Sequence, residues 1–312
     1  MKILLLSTLL LFTTLAFGQK TVVLSIDHKL EGDEFELRST KTNASGDEYE
    51  VTRLEYYLAE FELVHDGGQI TQLPDTWLLV DGSQEADFIL GDFNLTQLEE
   101  IRFYNGVDQD HNHLDPTTYP AGHPLGHKNP SMHWGWTAGY RFLAIEGNVG
   151  PSLAYHYEIH ALGDRNYRQV TLPTIGRESN DTIYVELEAF VEAIFREIDI
   201  SAGVVAHGEL DEAEQSLINL QSHVFAAVNS PLGLLQNEAV SKLYLINPSQ
   251  LGSVQVFASE PMNVSVINTL GQEVLSTELE GLNFLPIQEA GVYFVNSETE
   301  AGDRITQKII VR

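Results

Sequence analysis

Arg53-Leu54-Glu55-Tyr56-Tyr57-Leu58-Ala59-Glu60-Phe61-Glu62-Leu63-Val64 is the stretch on which the fold class turns. Its apolar and polar side chains alternate well enough for a long strand with one buried face. Working outward, residues 21–28 form a β-branched-rich run that reads as the first strand, and 35–37 follow before a polar turn at 43–48. Gly67-Gly68 marks a turn, 77–80 a short strand, and 83–90 and 95–103 are further strand candidates. After a long irregular segment from 106 to about 132, strands resume at 140–146, 155–160, 169–172 and 182–187. Residues 191–195 and 209–225 read as helical; in the second, Leu210, Ala213, Leu217, Leu220 and Val224 recur every three or four positions. Short strands without βαβ alternation predict a mainly β protein, an antiparallel β-sandwich with a few short helices.

The composition changes near residue 230. Ser230-Pro231-Leu232-Gly233-Leu234-Leu235-Gln236-Asn237 reads as a linker, set at 230–240. Beyond it, short strands at 241–246, 253–258, 263–268, 273–275, 291–296 and 307–311 predict a small Ig-like β-sandwich over 241–312. This second module has no histidine and no tryptophan, so chemistry is expected in the domain at 19–229.

Seventeen basic against 45 acidic side chains give a formal charge of -28. A surface this negative repels phosphate backbones and excludes nucleic-acid binding as the expected role, while it favours solubility and cation attraction. The absence of cysteine removes disulfides, zinc-thiolate and iron-sulfur sites, thiol nucleophiles and a lipobox anchor together. Lys2, the apolar run 3–15 and the small-x-small Ala16-Phe17-Gly18 read as a signal peptide at 1–18. That run is too short to span a bilayer, no later segment is apolar enough for a membrane helix, and the mature chain is expected outside the cytoplasm.

The segment Asn129-Pro130-Ser131-Met132-His133-Trp134-Gly135-Trp136-Thr137-Ala138-Gly139-Tyr140 concentrates two of three tryptophans with a thioether and an imidazole. It closes a loop that carries His111, His113, His123 and His127, while His156 and His160 stand four apart on one strand and so share a face. His28 ends the first strand. Each histidine alone is an ordinary solvated side chain; these eight together, in a cysteine-free exported domain, favour a metal, and Met132 nearby favours copper. His123, His133 and His156 are weaker ligand candidates. Asp108, Asp110, Asn112 and Asp115 place oxygens as a calcium loop does, but His113 stands where such a loop needs glycine and Tyr119 where it needs glutamate. No H-E-x-x-H, G-x-S-x-G, Walker or G-x-G-x-x-G pattern occurs.

Met132-His133-Trp134-Gly135-Trp136-Thr137-Ala138-Gly139-Tyr140 resembles the M-x-W-x-W-x-x-G-Y signature of MbnP-like proteins, exported copper-binding proteins related to the methanobactin-associated periplasmic protein. The strand ending in His28, the Arg53–Leu58 run, Phe103-Tyr104-Asn105-Gly106-Val107-Asp108 and Glu158-Ile159-His160-Ala161-Leu162-Gly163 extend the resemblance over roughly residues 20–228. It implies copper held by His28, His160 and an oxidised tryptophan, Trp134 or Trp136, converted to kynurenine by a dihaem partner of the MauG/cytochrome c peroxidase type. Two departures stand out: the family's H-L-G is one residue longer here, at His160-Ala161-Leu162-Gly163, and the histidine-rich loop is extended. The C-terminal module resembles a type IX secretion sorting domain. Its blocks are Asn247-Pro248-Ser249, the run at 264–274, Gly291-Val292-Tyr293-Phe294-Val295 and Lys308-Ile309-Ile310-Val311-Arg312. Such a domain implies export by that machinery to the outside of Bacteroidota-type cells.

These readings lead to a secreted copper acquisition or sequestration protein without catalytic turnover. The competing readings are a copper redox enzyme, and a secreted adhesin or carbohydrate-binding module with Trp134 and Trp136 as an exposed platform.

Overall fold

The computed structural model describes residues 19–43, 45–84, 87–230, 243–245, 254–299 and 304–311. The signal peptide expected at 1–18, nearly all of the linker and the Asn247-Pro248-Ser249 block lie outside the described residues.

The first domain is built from β1 (Lys20–Leu30), β2 (Asp33–Glu34), β3 (Lys41–Thr42), β4 (Glu48–His65), β5 (Gln69–Asp81), β6 (Asp87–Phe93) and β7 (Leu98–Asn105). After α1 (Gln109–Asn112) come β8 (Arg141–Val149), β9 (Tyr155–Leu162), β10 (Arg168–Pro173), β11 (Arg177–Ser179), β12 (Thr182–Phe190), β13 (Val205–Gly208), α2 (Asp211–Asn219) and β14 (Phe225–Ala227). One sheet runs β11-β12-β1-β2 with β6 and β14 attached; the other runs β10-β7-β4-β8-β9-β13 with β3 and β5 attached to β4.

The long strand read from the sequence is the spine of the second sheet. β4 hydrogen-bonds β5, β7 and β8 in turn, and its register breaks around Glu60, whose φ is 50°. Such a bulge bends a strand and lets one strand serve several partners. Most pairs are antiparallel. Two are parallel, β1 with β12 and β9 with β13, and the second places Val205-Ala206-His207-Gly208 beside Glu158-Ile159-His160-Ala161.

The two sheets face each other across one apolar core. Val22, Leu24 and Ile26 of β1 and Ile183, Val185 and Leu187 of β12 pack with Tyr56, Leu58, Phe61, Phe103 and Ile159. Phe225 bridges the layers, meeting Tyr56 and Phe103 at centroid distances of 5.8 and 5.5 Å. The helical run read at 209–225 ends as regular α-helix at Asn219; a π-turn at Leu220–Val224 follows, and Phe225 already belongs to a strand. Pairing of β14 with β12 accounts for the early stop, since it draws Phe225 into the apolar core between the sheets.

The segment read as irregular is ordered by what it buries. Leu125 and Met132 are enclosed, and Tyr140 Oη donates to the Leu125 carbonyl. Pro116–Thr118 forms a 3-10 turn capped by Asp115.

In the second module β15 (Leu243–Leu245), β16 (Val254–Asn268), β17 (Glu273–Leu285), β18 (Gly291–Thr299) and β19 (Arg304–Val311) form an antiparallel sheet with its own core around Val256, Val264, Val266 and Val295. The strands read separately at 253–258 and 263–268 are one strand, β16, with a bulge between Ala258 and Met262.

Candidate metal centre

Alternation along β9 sorts its side chains. Tyr157, Ile159 and Ala161 enter the core, so His156, Glu158 and His160 share the opposite face. The parallel neighbour β13 sets His207 directly beside His160, and the two imidazoles stack at 4.6 Å with their planes 7° apart. Among the described residues, Glu158, His160 and His207 form the one group of His, Cys, Asp or Glu whose three ligand atoms all lie within 4.8 Å of one another.

Glu158 Oε1 is approached by His207 Nε2 at 2.8 Å and by His160 Nδ1 at 3.1 Å. The His160 contact has no hydrogen-bond geometry: its Nδ1 is buried and unpartnered. The other ring nitrogen is engaged, His160 Nε2 lying 2.9 Å from Glu146 Oε1. Burial, reinforced by the Arg141 charge, holds the His160 pKa below its ordinary value in spite of Glu146 and Glu158. A neutral ring that donates Nε2–H to Glu146 keeps a lone pair on Nδ1, which lies 3.1 Å from the Glu158 carboxylate without pointing at it. A buried lone pair beside a carboxylate is left unsatisfied, and a cation bound by both would satisfy it. A carboxylate that fixes the tautomer of a metal-ligating imidazole is the usual outer support of such a site.

Glu146 is itself anchored. Its Oε1 accepts from Arg53 Nη1 at 2.8 Å, and Arg53 Nε reaches Glu55 at 2.5 Å. Hydrogen bonds from Arg53 and His160 draw the Glu146 carboxyl below its ordinary pKa although burial opposes them, so it stays charged.

Trp134 closes the site. Its ring meets His207 edge-on at 4.9 Å and His160 at 5.8 Å, and the Arg141 guanidinium lies 4.6 Å from the indole centroid. The turn carrying it is pinned from α1. Trp134 N donates to Gly139 O, Tyr140 N donates to Asn112 Oδ1 at 2.7 Å, and His113 Nδ1 reaches Trp136 O at 2.7 Å. Gly139 has φ +77°, and a Cβ there would collide with the Asn112 side chain, so the turn needs glycine at this point.

The residues singled out from the sequence divide accordingly. His160 and Trp134 come together at this centre, and His156 stands at its rim, with Nε2 3.5 Å from Glu158 Oε2. Trp136 is 80% exposed, and its carbonyl contacts His113 Nδ1 rather than any of the three clustered ligands. Met132 is buried with Sδ 3.3 Å from Arg53 Nη2, one residue removed from Glu146. His28 lies on the other sheet, Nε2 2.9 Å from Tyr56 Oη and its ring near Phe35. His123 stacks on Tyr119 and accepts from Leu125 N, and His133 packs on Tyr140 and accepts from Gly135 N.

The oxygen-rich loop does not converge on one point. Asp108 accepts from Trp77 Nε1 and contacts His111, Asn112 donates to Asp164, and Asp115 caps Thr117 N. Asp110, in the first turn of α1, is exposed.

Sequence reasoning passed over His207 and Glu158 as ligands. Glu158 was findable, two residues before His160 on the same strand face. His207 carries no spacing signal, because only a parallel pairing of distant strands brings it in.

The MbnP family profile matches residues 19–210. The chain belongs to the MbnP family. Residues 247–312 match the secretion system C-terminal sorting domain, which directs this MbnP-family chain to the type IX secretion machinery and so to the cell surface or beyond. Among solved structures, it is similar to MbnP from Methylosinus trichosporium at 18% identity, covering 61% of this chain and 81% of that one, with a TM-score of 0.43. No curated protein matches the chain. Among the described residues no helix is long and apolar enough to cross a membrane.

Proposed function

We propose that this exported MbnP-family protein captures copper through His160, His207 and Glu158, with Trp134 as the lid of the site. The observation that carries the reading is the orphaned His160 Nδ1, 3.1 Å from a carboxylate oxygen while its Nε2 is committed to Glu146. Two imidazoles and one carboxylate suit a first-row divalent ion, and copper(II) binds such a set more tightly than the others. The strongly acidic chain raises the local concentration of any cation.

When bound, copper would supply a tightly held, exchangeable cargo; the protein's residues bind, orient and enclose it. Glu146 fixes the His160 tautomer, Arg53 keeps Glu146 charged and in place, and Trp134 with Arg141 covers the imidazole pair. We assign the tryptophan-to-kynurenine conversion implied by the family resemblance to Trp134. Its ring touches both imidazoles, yet it is 41% exposed and so within reach of an oxidising dihaem partner. The Arg141 guanidinium on one face of Trp134 leaves Trp136 as the sole free ring, which weakens the reading as a two-ring carbohydrate platform.

The test is copper stoichiometry on purified mature protein. The His160→Ala/His207→Ala double variant is expected to lose tight binding, and His28→Ala to retain it. Loss of copper from His28→Ala with retention in the double variant would move the site to the first strand. Intact mass of the natively exported chain reads the tryptophan modification, and Trp134→Phe is expected to abolish it.

A further inference from the structure

The centre described above uses Glu158 Oε1. The second oxygen of the same carboxylate faces a different histidine, His156 Nε2 lying 3.5 Å from Oε2. His156, Glu158 and His160 occupy alternate positions of β9 and therefore form one line of ligands along one face. Side-chain exposure falls steadily along this line, from 51% at His156 through 26% at Glu158 to 4% at His160. His207, at 31%, stands beside the inner end of it, next to His160. His156 is outside the group whose ligand atoms all lie within 4.8 Å, so it does not complete the inner centre. It makes a second, shallower pair with Glu158.

We infer that His156 and Glu158 Oε2 form an outer capture site for a divalent copper ion, from which the ion passes to His160 and His207. The inference rests on the copper reading of the inner centre. The passage is ligand exchange only. The ion leaves His156 Nε2 and gains His207 Nε2 and His160 Nδ1, while its contact with Glu158 shifts from one oxygen to the other. No electron moves, and the copper keeps its charge. Glu158 is common to both positions, so the partly dehydrated ion never crosses the gap without an anionic ligand, which is where the cost of desolvating a charge would otherwise fall. The indole of Trp134 meets the two inner rings edge-on, and His156 lies at the opposite, exposed end of the line, which makes that end the entrance.

A conduit differs from a ligand in kinetics. It speeds entry and exit alike and leaves the equilibrium untouched, because His156 holds nothing in the final state. Stopped-flow uptake of copper(II) chloride by mature protein produced without the oxidising partner, so that Trp134 keeps its indole, is read by tryptophan emission, and release of copper to EDTA measures the other direction. His156→Ala is expected to slow both by about tenfold, the low end of the range over which association rates vary among variants of one binding surface. One copper per chain and an unchanged Kd are expected to remain. His127→Ala, a loop histidine away from β9, is the control and is expected to alter neither rate. Unchanged rates in His156→Ala overturn the inference, as does a weaker Kd with unchanged uptake, which would make His156 a ligand of the inner site. The His160→Ala/His207→Ala variant separates the two levels: tight copper retained there sinks the inner centre, whereas a His156→Ala failure with that centre intact sinks the capture site alone.

Discussion

Glu146 touches no proposed ligand atom, yet the geometry makes it decisive for the His160 donor. Its Oε1 takes both the His160 Nε2 contact at 2.9 Å and the Arg53 Nη1 hydrogen bond at 2.8 Å. Removing it in Glu146→Ala frees the imidazole to adopt the other tautomer, in which Nδ1 carries the proton and has no lone pair to offer. That proton must leave Nδ1 before a metal binds. Loss of a carboxylate behind a ligating imidazole costs about 10- to 100-fold in metal affinity, which is about 1.4 to 2.8 kcal/mol. Arg53 retains Glu55 at 2.5 Å, so the variant does not strand a buried charge and the fold is expected to persist. Glu146→Gln keeps an acceptor but removes the charge, and should fall between wild type and alanine. The assay is competition for copper(II) against a chromogenic chelator, on protein whose circular dichroism matches wild type. Wild-type affinity in Glu146→Ala, alongside lost binding in His160→Ala, would refute the tautomer argument.

Two further outcomes follow from burial and from ring contacts. His28 is enclosed between the sheets, and burial lowers its pKa from 6.5 to about 4 against the opposing charges of Asp27 and Asp81. Above pH 6.5 the ring is neutral folded or unfolded; as pH falls from 6.5 to about 4 only the unfolded chain takes the proton, so stability drops, and it levels off below that. At 1.36 kcal/mol per unit this amounts to roughly 3 kcal/mol. Urea titrations across that window should show the slope, and His28→Gln should flatten part of it, since burial also lowers the His223 pKa to about 4. In protein produced without the oxidising partner, where Trp134 keeps its indole, copper addition should quench the emission of Trp134, which touches both imidazoles, so Trp134→Phe should lose most of the quench and Trp136→Phe little; the reverse order would place the metal elsewhere.

Much of the architecture is legible because strands announce themselves locally. Residues 53–64 alternate, and they form part of β4, the spine of the larger sheet. The helical pattern at 209–225 shows the limit of that signal, since Leu220 and Val224 keep helical spacing while Phe225 is taken by β12. At the site, the strand period places His160 and His156 on one face, and the same period puts Glu158 between them. The loop chemistry was harder to read: five histidines sit between 111 and 133, yet the cluster of three ligands lies on β9 and β13. Loop imidazoles such as His111 and His123 are spent on Asp108, Trp77 and Tyr119.

The sequence by itself determined the β character, the change of module near residue 230, the export address and the Trp134 signature, because alternation, composition and short motifs are properties of neighbouring residues. Tertiary structure alone decided which histidine faces His160. β1 carries His28 into the other sheet against Tyr56, and the parallel pairing of β9 with β13 supplies His207 instead. Strand partners are chosen by the burial of whole faces across the sandwich, and no local spacing encodes that choice.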